Sequence, residues 1–324
     1  MVLQHLDDVH APRVFAWASD QRYPIIENVC KNGIVVTETK FVTVDGYSIV
    51  DLGGAVRTVG PARSAKKVLQ RTTIDLVRHA TYALAIHGHN ACGAAVALNH
   101  DRSADDQSPI AAFASELQRW SVDAKFTAHI GLGLGANEIG PTLHPSAAIA
   151  SELIAASAVA SIPDDSSVII IASDGDEPAL QAELAGAFPK AAVAVEADLA
   201  AALASGAEVV FVRTKLGELH HDALAETNVR RIVGLQPLTT TARGLAVASR
   251  HGTTIVPDFI SAAGPYLAAL DDDVTPETIA AATRSVIAGL GASGTTMFID
   301  ACEVAETHIR TWASEPPFGR PLAP

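Results

Sequence analysis

The chain of 324 residues has only three cysteines, Cys30, Cys92 and Cys302, far apart and without a CxxC spacing. That excludes a disulfide framework and a zinc ribbon, and it fits a reducing compartment. Basic residues are also scarce: 23 Lys and Arg stand against 36 Asp and Glu, a formal net charge of −13 spread along the chain. A surplus of this sign favours solubility and argues against nucleic acid as a partner. No run of about 18 apolar residues occurs, so no membrane-spanning helix is expected. Asp7, Asp8 and Arg13 fall where a secretory leader needs an unbroken apolar stretch. The expectation is a cytoplasmic protein with neither a membrane nor a nucleic-acid partner. Gly and Pro are few as well (23 and 17), whereas 48% of the residues are apolar, enough to bury the cores of two domains.

The first part of the chain carries short alternating or β-branched runs: Arg13–Ala18, Gly33–Val44 and Tyr47–Asp51. Asn32-Gly33 and Asp45-Gly46 supply positive φ cheaply, so these runs predict hairpin strands in a mixed or antiparallel sheet. Val68, Ile74 and Val77 alternate with charge, which predicts a helix from Ser64, as N-cap, to His79, carrying the chain to Thr81. A second helix is expected over Pro109–Trp120, then a strand over Lys125–Ile130 that runs into a glycine-rich GLGLG turn.

The pattern changes at Pro141–Pro145, and the alanine-rich Ser146–Ala160 predicts a helix joining two domains. Beyond it, Val168–Ile171, Ala191–Val195, Val209–Val212, Ile232–Gly234 and Thr254–Val256 are short apolar runs separated by helical stretches. This is the signature of a parallel, doubly wound, Rossmann-like sheet. The fold class expected is therefore α/β in two domains: a mixed-sheet domain over residues 1–145 and a Rossmann-like domain over 146–274, with helices over 275–324 folding back on the first.

The first of those parallel strands leads into Ala172-Ser173-Asp174-Gly175-Asp176-Glu177-Pro178, where a dinucleotide fingerprint reads GxGxxG. Only Gly175 matches. Three carboxylates crowd the place where backbone N–H groups would meet a pyrophosphate, and Pro178 removes a donor. Glu196, about twenty residues on, stands where an acidic residue would hold ribose hydroxyls; as a solvated strand-end glutamate it needs no ligand. Ser173, Gly175 and Glu196 are the candidate cofactor residues. No cofactor is assigned, and NAD(P) is the alternative.

Thr81–His100 reads TYALAIHGHNACGAAVALNH. With Gly53-Gly54-Ala55-Val56-Arg57 upstream, it resembles the active-site region of the glutamate/leucine/phenylalanine/valine dehydrogenases. There an arginine-bearing GG strand is followed by a helix ending near TYKNA, then AGL, then a GGGK turn. Thr81-Tyr82-Ala83-Leu84-Ala85, Gly88 and Cys92-Gly93-Ala94-Ala95 are the matching pieces. Downstream, Thr254–Gly264 (TIVPDFISAAG) resembles YAPDYVINAGG, and Val274–Trp312 resembles the family's closing helices. The resemblance implies two domains around a cleft, a small-molecule substrate, and a homo-oligomer, a dimer or larger, assembled through the first domain.

It also implies what is missing. Both family lysines fall on alanine, at Ala83 and Ala95. One such ammonium grips the substrate carboxylate, and the other polarises the carbon that receives ammonia and hydride. The proton-shuttling aspartate of an AEDVG-like strand would fall within Thr127–Gly131, which has no carboxylate. The asparagine before AG falls on Ala262, and an ANNQL segment has become Leu235-Gln236-Pro237-Leu238. Ordinary oxidative deamination is not expected.

His87 and His89, two apart on an expected extended backbone, would project to one side, and His129 lies on a strand whose family counterpart lines the cleft. The three imidazoles are candidates for acid/base catalysis on an imine, enamine or amino-acid-like compound. They can alternatively form a three-ligand metal set, or simply fill space; no metal is assigned. Gly53, Gly54, Asn90 and Cys92 are the candidate substrate-binding residues, with Cys92 open to a nucleophilic role or to that of a small buried thiol. His220-His221 is read as surface. Three functions stay open: a repurposed enzyme on a small amino-acid- or imine-derived substrate, an atypical NAD(P)-dependent oxidoreductase, and a non-catalytic scaffold or partner subunit.

Overall fold

A computed structural model describes residues 36–41, 44–49, 58–65, 70–100, 105–123, 126–132, 144–213, 215–271, 273–291 and 294–312. The elements in chain order are β1 (Val36–Phe41), β2 (Val44–Ile49), β3 (Thr58–Ala65), α1 (Gln70–Ile86), β4 (Cys92–Gly93), β5 (Ala95–Asn99), α2 (Ser108–Asp123) and β6 (Phe126–Leu132). A short 3-10 helix (Pro145–Ile149) leads into α3 (Ala150–Ala160). Then come β7 (Val168–Ala172), α4 (Pro178–Ala187), β8 (Ala192–Glu196), α5 (Leu199–Ala204), β9 (Val209–Val212), β10 (Arg231–Gly234), α6 (Ala242–Arg250) and β11 (Thr254–Val256). Four helices follow: α7 (Asp258–Ser261), α8 (Gly264–Ala268), α9 (Pro276–Ala288) and α10 (Gly294–Ile309).

Two sheets divide these strands. The first is mixed: β1 and β2 form an antiparallel hairpin, β2 pairs antiparallel with β5, and β3 runs parallel to β4, β5 and β6. The second is wholly parallel in the order β11-β10-β9-β7-β8. Its β9, entirely buried, is Val209-Val210-Phe211-Val212, the run of β-branched and aromatic residues that a strand covered on both faces requires. The chain winds from β7 outward to β8, then returns across β7 to β9. The carboxyl ends of β7 and β9 are therefore a topological switch point, where open α/β sheets bind ligands.

Several local expectations shift. Asp45 and Gly46 are not a turn: they pair with Lys40 and Thr39 inside the hairpin. Ser64 is not a helix cap but a β3 residue, because its hydroxyl donates to the His100 carbonyl at 3.2 Å and ties β3 to the end of β5. The helix begins later, at Gln70, and runs on to Ile86, so Thr81-Tyr82-Ala83 is helical. It ends in a Schellman motif: Gly88 takes φ +82°, its N–H donates to Ala85 O at 2.9 Å, and His89 N–H donates to Leu84 O at 3.0 Å. His87 and His89 thus flank a left-handed glycine and do not stand on an extended strand. The Arg13–Ala18 strand and most of the GLGLG turn lie outside the described residues.

The helices after β11 pack against the first sheet's helix. Tyr82 on α1 meets Phe259 on α7 edge-on at 5.7 Å between ring centroids, and Phe259 meets Phe298 on α10 at the same separation. Tyr82 Oη donates to Glu306 Oε1 on α10 at 2.5 Å. Buried aromatic pairs contribute about 0.5–1.5 kcal/mol each beyond area burial, so this seam joins α1 firmly to the closing helices. Among the described residues no helix is long and apolar enough to cross a membrane.

Candidate functional site

At the switch point lies an open cleft of about 790 Å³. One wall comes from the parallel sheet: Ala172 and Ser173 at the end of β7, Asp174, Gly175 and Glu177 in the turn before α4, and Arg213 just beyond β9. Arg63 and Ser64 from the end of β3 in the mixed sheet also line it, as do Asp198, Lys215, Glu218 and Gln236.

Most of the cleft's charges are already engaged. Glu177 Oε1 accepts from Arg213 Nε, a short ion pair, and from Ser173 Oγ at 3.0 Å. Asp198 Oδ1 caps α5 by accepting from Ala200 N–H at 2.9 Å, and Glu218 Oε2 accepts from Lys215 N–H at the same distance. Arg63 differs. Its Nη1 is buried without a hydrogen-bond partner among the described residues, and burial pulls the guanidinium pKa down. Leaving a buried charged donor unsatisfied is costly, so a group in this position favours an anion that enters the cleft.

The turn beside it has room for a pyrophosphate but not the donors. A Cβ built on Gly175 would meet nothing within 4 Å, so the space above it is open. Yet the Gly175 N–H donates to Ser173 Oγ at 3.3 Å, Pro178 opens the helix with no N–H to offer, and Asp174 adds an exposed carboxylate to the lining. Glu196 is the last residue of β8, and its Oε1 accepts from Asp198 N–H at 2.9 Å, holding a local turn. These groups do not fit a dinucleotide bound through the usual N–H cradle.

A second polar group lies buried between α1 and the segment after β11. Asp258 Oδ2 accepts from Thr239 N–H at 2.8 Å and Thr239 Oγ1 at 3.2 Å, while Oδ1 stands 3.6 Å from His79 Nε2. His79 Nδ1 shares a 3.2 Å hydrogen bond with Tyr266 Oη. Burial dominates their protonation: His79 is lowered to about 3 and Asp258 raised to about 6, against hydrogen bonds that pull each the other way. Sequence reasoning missed this group because nothing local marks it; His79 and Tyr266 are 187 positions apart. Nearby, Leu238 holds φ +59° while buried, a strained conformation for a leucine two residues from Gln236 of the cleft.

No family's sequence model matches the chain, and no curated protein does. Solved structures do. A glutamate dehydrogenase superposes with a TM-score of 0.69 over 90% of both chains at 13% identity. The hetero-hexameric glutamate dehydrogenase of Thermus thermophilus, in its leucine-bound form, reaches 0.64 over 97% of both at 16% identity. The L-tryptophan dehydrogenase of Nostoc punctiforme gives 0.58 over 88% of this chain and 98% of its own at 14% identity. The chain has the amino-acid dehydrogenase fold.

The two alanines that the sequence resemblance sets against the family's lysines are sealed in the core. Ala83 on α1 and Ala95 on β5 are both 0% exposed, packed in the main apolar core. The backbone around them is locked together. Gly93 N–H donates to Thr81 Oγ1, which itself donates to Val77 O, both at 2.8 Å. Ala94 N–H donates to Val59 O at 2.9 Å, and a Cβ on Gly60 would fall 1.6 Å from Ala94 O. The small residues of the GGGK-like turn therefore serve close packing, and neither alanine lines the cleft.

The sequence-derived candidates are spread out. Ser173 and Gly175 line the cleft; His87, His89, Asn90 and Cys92 are not among its described lining residues. His87 Nδ1–H donates to Ala83 O at 2.8 Å, and Nε2 is buried with no partner among the described residues. Its pKa falls to about 4, from burial first. The pKa of His89 is lowered by partial burial and by His308, with Asp271 opposing. Asn90 is exposed, and Cys92 is buried. His129 lies on β6, but its side chain, like Gly53 and Gly54, is outside the described residues.

Proposed function

We propose that the chain is a divergent member of the amino-acid dehydrogenase family, repurposed to act on a small amino-acid- or imine-derived anion held in the cleft, without the lysine-dependent deamination of its relatives. The observation that carries this reading is the buried Nη1 of Arg63 on the cleft wall, without a hydrogen-bond partner among the described residues, set against alanines where the resemblance places both lysines. Arg63 replaces the lost ammonium groups as the anion's anchor, from a different element. His87 and His89 take no part in binding on this reading. Cytoplasmic location and a homo-oligomer formed through the first domain belong to the same proposal.

Calorimetric titration with a panel of L-amino acids and 2-oxo acids tests it. The wild type binds at least one saturably, and Arg63→Gln weakens that binding by about tenfold or more, the worth of one charge-assisted hydrogen bond. His87→Ala and His89→Ala leave it unchanged. Equal affinity in wild type and Arg63→Gln, or no binding by either, would remove Arg63 from the account.

A second reading, an atypical NAD(P)-dependent oxidoreductase, is favoured by one contact. Arg213 neutralises Glu177, so the turn after β7 is less hostile to a phosphate than its three carboxylates imply.

A further inference from the structure

Outside the cleft, among the described residues, His220, His221 and Asp222 bring one ligand atom each within 4.8 Å of one another. We propose that these three side chains form a binding site for a divalent transition-metal ion of the zinc type. The inference is independent of how the cleft is used.

The distances favour coordination. A zinc-type ion bonded to nitrogen and oxygen at about 2.0–2.2 Å in tetrahedral geometry holds its ligand atoms about 3.4 Å apart. Asp222 Oδ1 lies 3.5 Å from His221 Nε2, and Oδ2 lies 3.9 Å from His220 Nδ1. The two rings sit 6.0 Å apart, inclined at 65°, and binding requires the side chains to turn toward a shared point from ligand-atom separations of up to 4.8 Å. The contact from Ala223 N–H to His220 Nδ1 is long, at 3.4 Å, and gives way when that nitrogen takes the ion. The side chains are 45%, 42% and 78% exposed, which leaves a fourth position open to water.

The backbone beneath is fixed on both sides. Leu219 and Leu224 are each 0% exposed. Leu219 N–H donates to Thr239 O at 3.0 Å and its carbonyl accepts from Thr241 N–H at 3.2 Å, while Leu224 N–H donates to His220 O at 3.1 Å. A Cβ on Gly244 would fall 2.1 Å from Leu219 O, so α6 presses directly on this segment. The ligand-bearing residues thus start from an ordered turn, which lowers the cost of binding. Two imidazoles and a single carboxylate select zinc, nickel or copper over magnesium and calcium, which need oxygen-rich shells.

The test is calorimetric titration of the tag-free, metal-stripped full chain with Zn²⁺ and, separately, Mg²⁺. One Zn²⁺ binds per chain, saturating below about 100 μM, weaker than a closed four-ligand site, and Mg²⁺ does not compete. His220→Ala and His221→Ala each weaken Zn²⁺ by at least about tenfold, with an unchanged circular dichroism spectrum because the side chains lie at the surface. Zn²⁺ binding that survives in the double variant, or a wild type that shows none up to about 1 mM, would overturn the assignment.

Discussion

His79 Nε2 stands 3.6 Å from Asp258 Oδ1 in a buried seam between α1 and α7, with the imidazole lowered to about 3 and the carboxyl raised to about 6. Unfolding restores values near 6.5 and 3.8. Between about pH 3 and 6.5 the folded chain binds fewer protons at His79 than the unfolded chain, so this group makes stability rise with pH. Asp258 acts the other way between about 3.8 and 6, where the folded state holds the extra proton. His79→Gln therefore flattens the loss of stability on acidification below pH 6.5. Asp258→Asn gains melting temperature relative to wild type on going from pH 5 to pH 8. Thermal melts across that range check both, and parallel curves for wild type and variants would contradict the buried seam.

Two glycines give a matched pair of expectations. A Cβ on Gly93 would lie 2.1 Å from Val77 O and 2.7 Å from Thr81 N, backbone atoms that cannot move aside. Gly93→Ala is expected to cost more than about 3 kcal/mol or prevent folding. Gly186 sits in α4 with nothing within 4 Å, and Gly186→Ala should stabilise by up to about 1 kcal/mol. Urea denaturation of the two variants reads both signs.

Lysine introduced at Ala83 and Ala95, where the sequence resemblance sets the family's lysines, is not expected to produce deamination. Both alanines are fully buried, so Ala83→Lys or Ala95→Lys adds volume and an unpaired charge to a closed core. The expected result is a fall in melting temperature and no amino-acid-dependent reduction of NAD⁺ or NADP⁺. A stable, active double variant would show that the sealed core opens readily.

The parallel sheet was the most legible part of the chain. Val209–Val212 and Thr254–Val256 have the bounds expected from their apolar runs, because strands buried on both faces need unbroken apolar sequence. Local signals failed where a distant partner decided the outcome. Ser64 reads as a helix cap, but its hydroxyl serves a carbonyl 36 positions away, and Glu177 reads as free negative charge until Arg213, also 36 positions away, folds onto it. His87 and His89 read as a same-side pair because the spacing does not reveal that Gly88 closes a helix. Arg63 carried no signal at all: only the fold places it in the cleft, with a guanidinium nitrogen unmet among the described residues.

The most direct test of the central claim, that this fold is used without the family's redox chemistry, is calorimetric titration of the metal-stripped protein with NAD⁺, NADH and their phosphorylated forms. The occupied N–H of Gly175, the Pro178 helix start and the Asp174 carboxylate predict no binding at millimolar cofactor. Saturable binding in the micromolar range would contradict the account and make the chain an atypical dehydrogenase.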